Sequence, residues 1–263
     1  MLSLEGLGKK LTEAGRLKLR PLCVYGTDEI PEGAIPSYKV DRCVAKAIYT
    51  SALFEETPPL YIEAGHEQCC AGGMAWMGLA EPHPKLKYFV TVGTPDFHGG
   101  VAEHLKAAPE LFDEQRERAG KILPHGKYTV IAPCTHNLAP ETVRSFIVFA
   151  GSEQIRNLCG LVQFSSSEPF FKTVIPGGPV CATMITFPAG MAENAPKDSA
   201  YVGPVDPTGN PWLAPELMIM GIPSRLAQQM GADLEESFIC KRSKIAYPEN
   251  RIAIKPYMKG IEK

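Results

Sequence analysis

Segments with strand and helix character alternate along this chain of 263 residues, and that order predicts an α/β or α+β fold. The expected architecture is a single compact domain, 1–263, with a central mixed sheet flanked by helices and long Gly/Pro-rich loops. Three observations carry it. Leu4, Leu7, Leu11 and Leu17 recur near helical spacing, so residues 1–19 read as an amphipathic packing helix. Two strand–turn–helix units stand out, one over 145–163 and one beginning at 217. No repeat, low-complexity tract or linker breaks the chain into parts.

Taken in order, residues 20–26 read as a strand that ends in the turn-rich stretch 27–37. From 40 to 54 the apolar positions Val40, Cys43, Val44, Ala47 and Ile48 fall at i, i+3, i+4, i+7 and i+8, a helix whose buried stripe includes Cys43. Pro58-Pro59 closes it, and 60–64 read as a strand. Residues 74–79 are expected to open a short helix, 86–92 a strand, and 101–123 a helix that Pro109 divides or kinks. Residues 128–133 and 145–150 read as apolar strands. The second feeds Gly151-Ser152-Glu153, where Ser152 is expected to cap a helix running to about 163. Residues 165–215, rich in Pro and Gly, read as a long irregular segment with short elements, which in a compact domain points to function. A strand at 217–221 precedes a helix opened by Pro223 or Ser224 and closed by Gly231, with 246–263 left as a C-terminal extension.

Composition removes several classes. The 27 basic and 29 acidic side chains leave a formal net charge of −2, which excludes nucleic-acid binding through a strongly basic surface. The apolar runs are far shorter than the ~18 residues that span a bilayer, and the N-terminal residues lack the pattern of a secretory signal. The expected location is the cytoplasm, where eight Cys are not four disulfides. What departs from average is the content of 24 Gly and 24 Pro, about 18% of the chain against roughly 12% in ordinary usage.

Motifs for a phosphate-binding glycine loop, a helical zinc protease and a Gly-x-Ser-x-Gly hydrolase are all missing. The cysteines stand at 23, 43, 69, 70, 134, 159, 181 and 240, with no pair separated by two residues, which excludes compact zinc knuckles and ferredoxin-type runs. Any metal site must be assembled from distant segments. Cys69-Cys70-Ala71-Gly72-Gly73 is the best local candidate, because two glycines after a Cys admit a bulky ligand and leave N–H groups to donate to thiolate or anion. A tight turn over a buried Cys is the plainer reading of the same residues. Cys181 follows Pro176-Gly177-Gly178-Pro179, a loop suited to delivering a ligand. Cys134 stands at a strand end with His136 two residues on, also a position suited to a site, whereas Cys23 and Cys159 read as core.

Arg20-Pro-Leu-Cys-Val, Arg42-Cys43-Val44, Cys70-Ala-Gly-Gly followed by Met77-Gly-Leu, the unit 145–163, Val174-Ile-Pro running to Cys181, and Gly221-Ile-Pro come in an order and spacing that resembles the family called domain of unknown function 169. That family is found largely in anaerobic archaea and bacteria, and the resemblance covers about residues 15–245. It implies a Cys at the positions of Cys43, Cys70 and Cys181, with none evident at Cys69, Cys134 or Cys159. Three thiolates from three segments would hold one 4Fe–4S cluster with one iron open, or a single zinc; soft thiolates without clustered His favour iron–sulfur.

The expected function is therefore iron–sulfur binding by Cys43, Cys70 and Cys181. The open iron would serve redox or Lewis-acid chemistry on a small anionic metabolite, and Gly72, Gly73, Gly177 and Gly178 would shape the cofactor site. His66, Arg42 and Glu168 are the candidates for the open side. The rival reading is a non-enzymatic binding or sensor protein holding a haem, corrinoid or other bulky cofactor, with the thiols lining its pocket. Expected partners are a small-molecule ligand or an electron-transfer protein, with neither nucleic acid nor membrane, and the apolar first helix suits a homo-oligomer.

Overall fold

A computed structural model describes residues 2–63, 69–136, 138–204, 206 and 209–241. Eight strands form one mixed sheet: β1 (Leu22–Thr27), β2 (Ile35–Pro36), β3 (Leu60–Glu63), β4 (Tyr128–Pro133), β5 (Val143–Gly151), β6 (Thr173–Val174), β7 (Ala200–Gly203) and β8 (Leu217–Pro223), in spatial order β2-β3-β4-β1-β5-β8-β7-β6. The outermost pairs, β2 with β3 and β6 with β7, are parallel and the others antiparallel. The central strand β1 sets Leu22 opposite Pro133 on one side and Ile147 on the other.

Both faces of the sheet are buried, and the period-2 alternation of side chains sorts each strand between two cores. Leu22 and Val24 of β1 join Ile147, Phe149, Ile131 and Tyr201 on one face. Cys23 and Tyr25 join Phe146, Val148, Val130 and Met220 on the other. The second face is covered by three helices: α1 (Leu4–Gly15), α6 (Ser152–Gln163) and α7 (Ser224–Asp233). Each shows an apolar stripe, as Leu4, Leu7 and Leu11 do in α1. The first face is covered by α2 (Val44–Leu53), α3 (Ala71–Trp76) and a π-helical turn (Ala182–Thr186). That turn lies tight on β8 because Gly221 has no side chain there; a Cβ would collide with the Thr183 carbonyl oxygen and the Pro188 ring.

Several local expectations are corrected. Residues 86–92 are not a strand: α4 (Leu86–Val90) is a short helix packed through Leu86, Phe89 and Val90 on Phe112. The helix expected over 101–123 is only α5 (Pro109–Ala119), because Pro109 lacks an N–H to donate and takes the first helical position. Residues 103–105 instead run back along α4, Glu103 N–H to Phe89 O and Leu105 N–H to Val90 O. Ser152 is the first residue of α6, whose cap is Gly151, with Gln154 Oε1 accepting from the Gly151 N–H at 2.8 Å. A last helix, α8 (Phe238–Lys241), ends the described chain, so the expected extension 246–263 lies outside it. Among the described residues no helix is long and apolar enough to cross a membrane.

Candidate functional site

Each of the three cysteines singled out above stands where a helical element begins. Cys43 precedes α2, Cys70 precedes α3 and Cys181 precedes the π-helical turn. For Cys43 this corrects the expectation of a place inside the helix: residues 37–39 form a separate turn, and α2 starts only at Val44. The reason is Asp41, whose Oδ1 accepts from the Cys43 N–H at 2.8 Å and whose other oxygen pairs with Lys46 at 2.7 Å. The far end of α2 is held by Arg20, which donates from Nε to Ser51 O at 2.8 Å, from Nη1 to Glu55 O at 2.8 Å and from Nη2 to Thr57 O at 3.0 Å. These carbonyls lack intrahelical partners, and one fork satisfies them together.

The three segments meet at α3. A Cβ placed on Gly73 would stand 2.7 Å from Cys69 Sγ, 3.3 Å from Cys70 Sγ and 3.5 Å from Cys181 Sγ, so three sulfurs lie within 3.5 Å of one point. The Gly73 N–H donates to Cys70 Sγ at 3.3 Å, and Cys69 Sγ lies 3.9 Å from Cys70 Sγ. Cys43 belongs to the same electrostatic group, because charge on Cys70 acts on it and it acts on Cys181 in turn. Adjacent residues usually diverge, yet both Cys69 and Cys70 turn their thiols toward this cluster.

Hydrogen bonding divides the proton among these thiols. Cys70 is held down to about 6, first because the Cys69 thiol donates to it and further because the Gly73 N–H does. Cys69 shifts upward as the donor of that bond, and its burial adds to the shift. Burial also pushes Cys43 and Cys181 up, and the negative charge of Cys70 reinforces both. The N–H groups of Val44, of Ala45 and Lys46, and of Ala182 oppose these rises at Cys69, Cys43 and Cys181 respectively.

The cluster forms one wall of a cleft of about 640 Å³. Arg42, Cys43, Cys69 and Cys70 line it on that side, and His83, Phe97 and His98 on another. His83 stacks on Phe97 at 4.6 Å between ring centroids, and Phe97 meets His98 edge-on at 4.4 Å. His98 has φ +48°, a left-handed conformation uncommon for a side-chain-bearing residue.

Two carboxylates that sequence reasoning missed stand nearby, Asp206 acting on Cys70 and Cys181 and Glu103 next to Asp206. Asp206 Oδ2 accepts from the Val180 N–H at 3.2 Å, one residue before Cys181, and Oδ1 accepts from the Gly209 N–H at 3.1 Å and Asn210 Nδ2 at 3.0 Å. Burial raises its pKa. Glu103 is raised too, by burial and then by Asp206. The signal for Asp206 was its Asp-x-x-Gly sequence; that for Asp41 was its place three residues before a helix start, two before the cap Cys43.

The other expectations separate cleanly. Arg42 lines the cleft. His66 lies outside the described residues. Glu168 is exposed in its own loop, its Oε1 accepting from the Phe170 N–H at 2.9 Å, and is not among the residues lining the cleft. Gly73 sits against the sulfurs, whereas a Cβ on Gly72 would touch only Leu86 Cδ1 at 3.8 Å. Gly177 packs on Gln115, and Gly178, with φ +127°, packs on Trp76. These two do not line the cleft of the thiols.

Cys23, Cys134 and Cys159 lie on the opposite face of the sheet. Cys134, a position suited to a site in sequence terms, is buried against Gly8 and donates to Pro21 O at 3.4 Å. Among the described residues, no three His, Cys, Asp or Glu side chains surround a place for a single metal ion; Cys69 Sγ lies against Cys70 Sγ beside Gly73 instead, with Cys181 Sγ on the same glycine.

Fold and site together define an α/β protein that collects four cysteines on one face of a largely antiparallel sheet, three of them opening to a cleft and Cys181 buried behind. The chain belongs to the DUF169 family, described as uncharacterised ArCR, whose sequence profile matches residues 10–233. No curated protein and no solved structure matches it.

Proposed function

We propose that the protein is a cytoplasmic iron–sulfur protein, its 4Fe–4S cluster held by Cys43, Cys70 and Cys181, with one iron left for a small anionic metabolite. The observation that carries this reading is the gathering of Cys69, Cys70 and Cys181 sulfurs around Gly73, with Cys43 close enough to interact electrostatically with Cys70 and Cys181. The donor set fits the group: soft thiolate donors, no His within the sulfur cluster among the described residues, and a Gly73 N–H already donating to Cys70 Sγ. When bound, such a cluster supplies electron transfer or a Lewis-acidic iron.

The chain's own residues do the rest. Asp41 and Arg20 fix the two ends of α2 and so place Cys43. Asp206 ties the backbone next to Cys181 to Gly209 and Asn210. Thr186 Oγ1 donates to Trp76 O at 2.6 Å and joins the Cys181 turn to the end of α3. Arg42 brings a permanent positive charge to the cleft, His83 and His98 bring hydrogen-bonding rings, and Glu81 adds one carboxylate, so an anionic group is held by the Arg42 side and not by the cleft as a whole. Exposed Phe170, Phe171 and Ile175 beside the edge strand β6 support a homo-oligomer or an electron-transfer partner docking there.

Anaerobic purification of Cys181→Ser and Cys159→Ser tests the reading. Cys181→Ser is expected to lose most of its broad visible absorption and iron, and Cys159→Ser, on the other face of the sheet, to keep both. Equal iron in the two variants would refute it.

A further inference from the structure

The adjacent thiols of Cys69 and Cys70 have a geometry that cluster ligation by Cys43, Cys70 and Cys181 does not require. Cys69 Sγ lies 3.9 Å from Cys70 Sγ, the two sulfurs already directed at each other. Cys70 Sγ also accepts from the Gly73 N–H at 3.3 Å, so it is the sulfur on which negative charge is stabilised. Cys70 is exposed and Cys69 half-buried behind it, and both line the cleft that holds Arg42. One sulfur is thus presented to a ligand in the cleft, with a second within reach behind it.

We infer that in the metal-free protein Cys69 and Cys70 form a thiol–disulfide exchange site for a small anionic disulfide. The Cys70 thiolate attacks one sulfur of the incoming disulfide; a Cys70–substrate bond forms as the substrate's S–S bond breaks, and the departing half leaves as a thiolate that takes up a proton. The Cys69 thiol then loses its proton and attacks Cys70 Sγ, forming the Cys69–Cys70 bond and expelling the second half as a thiol. Two electrons pass from the cysteine pair to the substrate, which is reduced to two thiols.

The oxidised pair is readily reversible for a reason set by the backbone. Adjacent Cα atoms are about 3.8 Å apart across a trans peptide, closer than the ~4.4–6.8 Å usual for a disulfide, and a bond in so small a ring is strained and easily reduced, so the oxidised pair accumulates only under a large excess of the substrate disulfide. Such a pair suits transient exchange, not a structural staple. Arg42 offers a partner for a carboxylate of a peptide-like disulfide, and Glu81, which also lines the cleft, one for its ammonium group.

The inference does not depend on iron–sulfur binding. It is tested on the full chain, freed of metal by a chelator, reduced, and then exposed to a large excess of glutathione disulfide, with the products mapped by peptide mass spectrometry. The expected product is a loss of two hydrogens confined to the peptide that carries Cys69 and Cys70. Cys69→Ser is expected to accumulate a glutathionyl group on Cys70, because the second step is removed. Cys70→Ser is expected to be modified at Cys69 about tenfold more slowly. A disulfide joining either residue to Cys43 or Cys181, an unchanged wild-type mass, or equal glutathionylation of the two variants would overturn the inference. Because the wild-type map needs no substitution, it stands even if a variant folds poorly.

Discussion

Gly73 and Gly72 are neighbours in one helix, and their replacement by Ala separates the thiol cluster from ordinary helix propensity. Ala is favoured over Gly in a helix by about 1 kcal/mol at either position. At Gly72 the new methyl meets only Leu86 Cδ1 at 3.8 Å, an ordinary contact. At Gly73 it would stand 2.7 Å from Cys69 Sγ, roughly 1 Å inside the usual separation of heavy atoms. Overpacking of this kind costs about 1–3 kcal/mol, and because Cys69 Sγ can rotate away the lower half of that range applies. The propensity gain cancels between the two variants. Gly73→Ala is therefore expected to be less stable than Gly72→Ala by about 1–2 kcal/mol in urea unfolding of the metal-free protein. The same methyl would stand 3.3 Å from Cys70 Sγ and 3.5 Å from Cys181 Sγ, against two of the proposed ligands, so Gly73→Ala is expected to hold much less iron after anaerobic purification, while Gly72→Ala matches the wild type. Equal stability and equal iron in the two variants would refute the convergence of sulfurs on Gly73.

Two further outcomes follow from other parts of the structure. Arg20→Met removes the donors to the carbonyls at the end of α2, and a loss of about 2–4 kcal/mol is expected in chemical unfolding, with Arg20→Lys recovering less than half because one ammonium cannot satisfy the fork. Burial pushes the Cys23 thiol up to about 12. The unfolded thiol ionises from about pH 8.5 while the folded one stays protonated, so the unfolded state binds fewer protons and stability falls as pH rises across that interval, by about 1.4 kcal/mol per pH unit for each such thiol. Cys23→Ala is expected to remove one thiol's share of that slope between pH 9 and 10, measured by urea midpoints; an unchanged slope would count against burial as the cause.

The fold was legible where apolar periodicity is long. The Leu4, Leu7, Leu11 stripe, the run from 143 to 151 and the helix after it survive intact because each buries a continuous face. Residues 86–90 misled because Leu-Lys-Tyr-Phe-Val has the aromatic and β-branched composition of a strand, and five residues are too few for period to decide. Tertiary packing on Phe112 made them a helix. Of the site, the individual ligand candidates were visible but their meeting was not, since residues 43, 70 and 181 come together only through the placement of α2, α3 and the π-helical turn on one face of the sheet. The bystanders are explained by the same alternation: Cys23 follows Leu22 by one residue and so faces the other core. Cys69 gained its place because Gly73 leaves room for it.

Iron and acid-labile sulfide measured per chain on protein purified without oxygen, together with its visible spectrum, test the central claim most directly. The account expects about four of each per chain, with broad charge-transfer absorption. A colourless protein containing neither would contradict it.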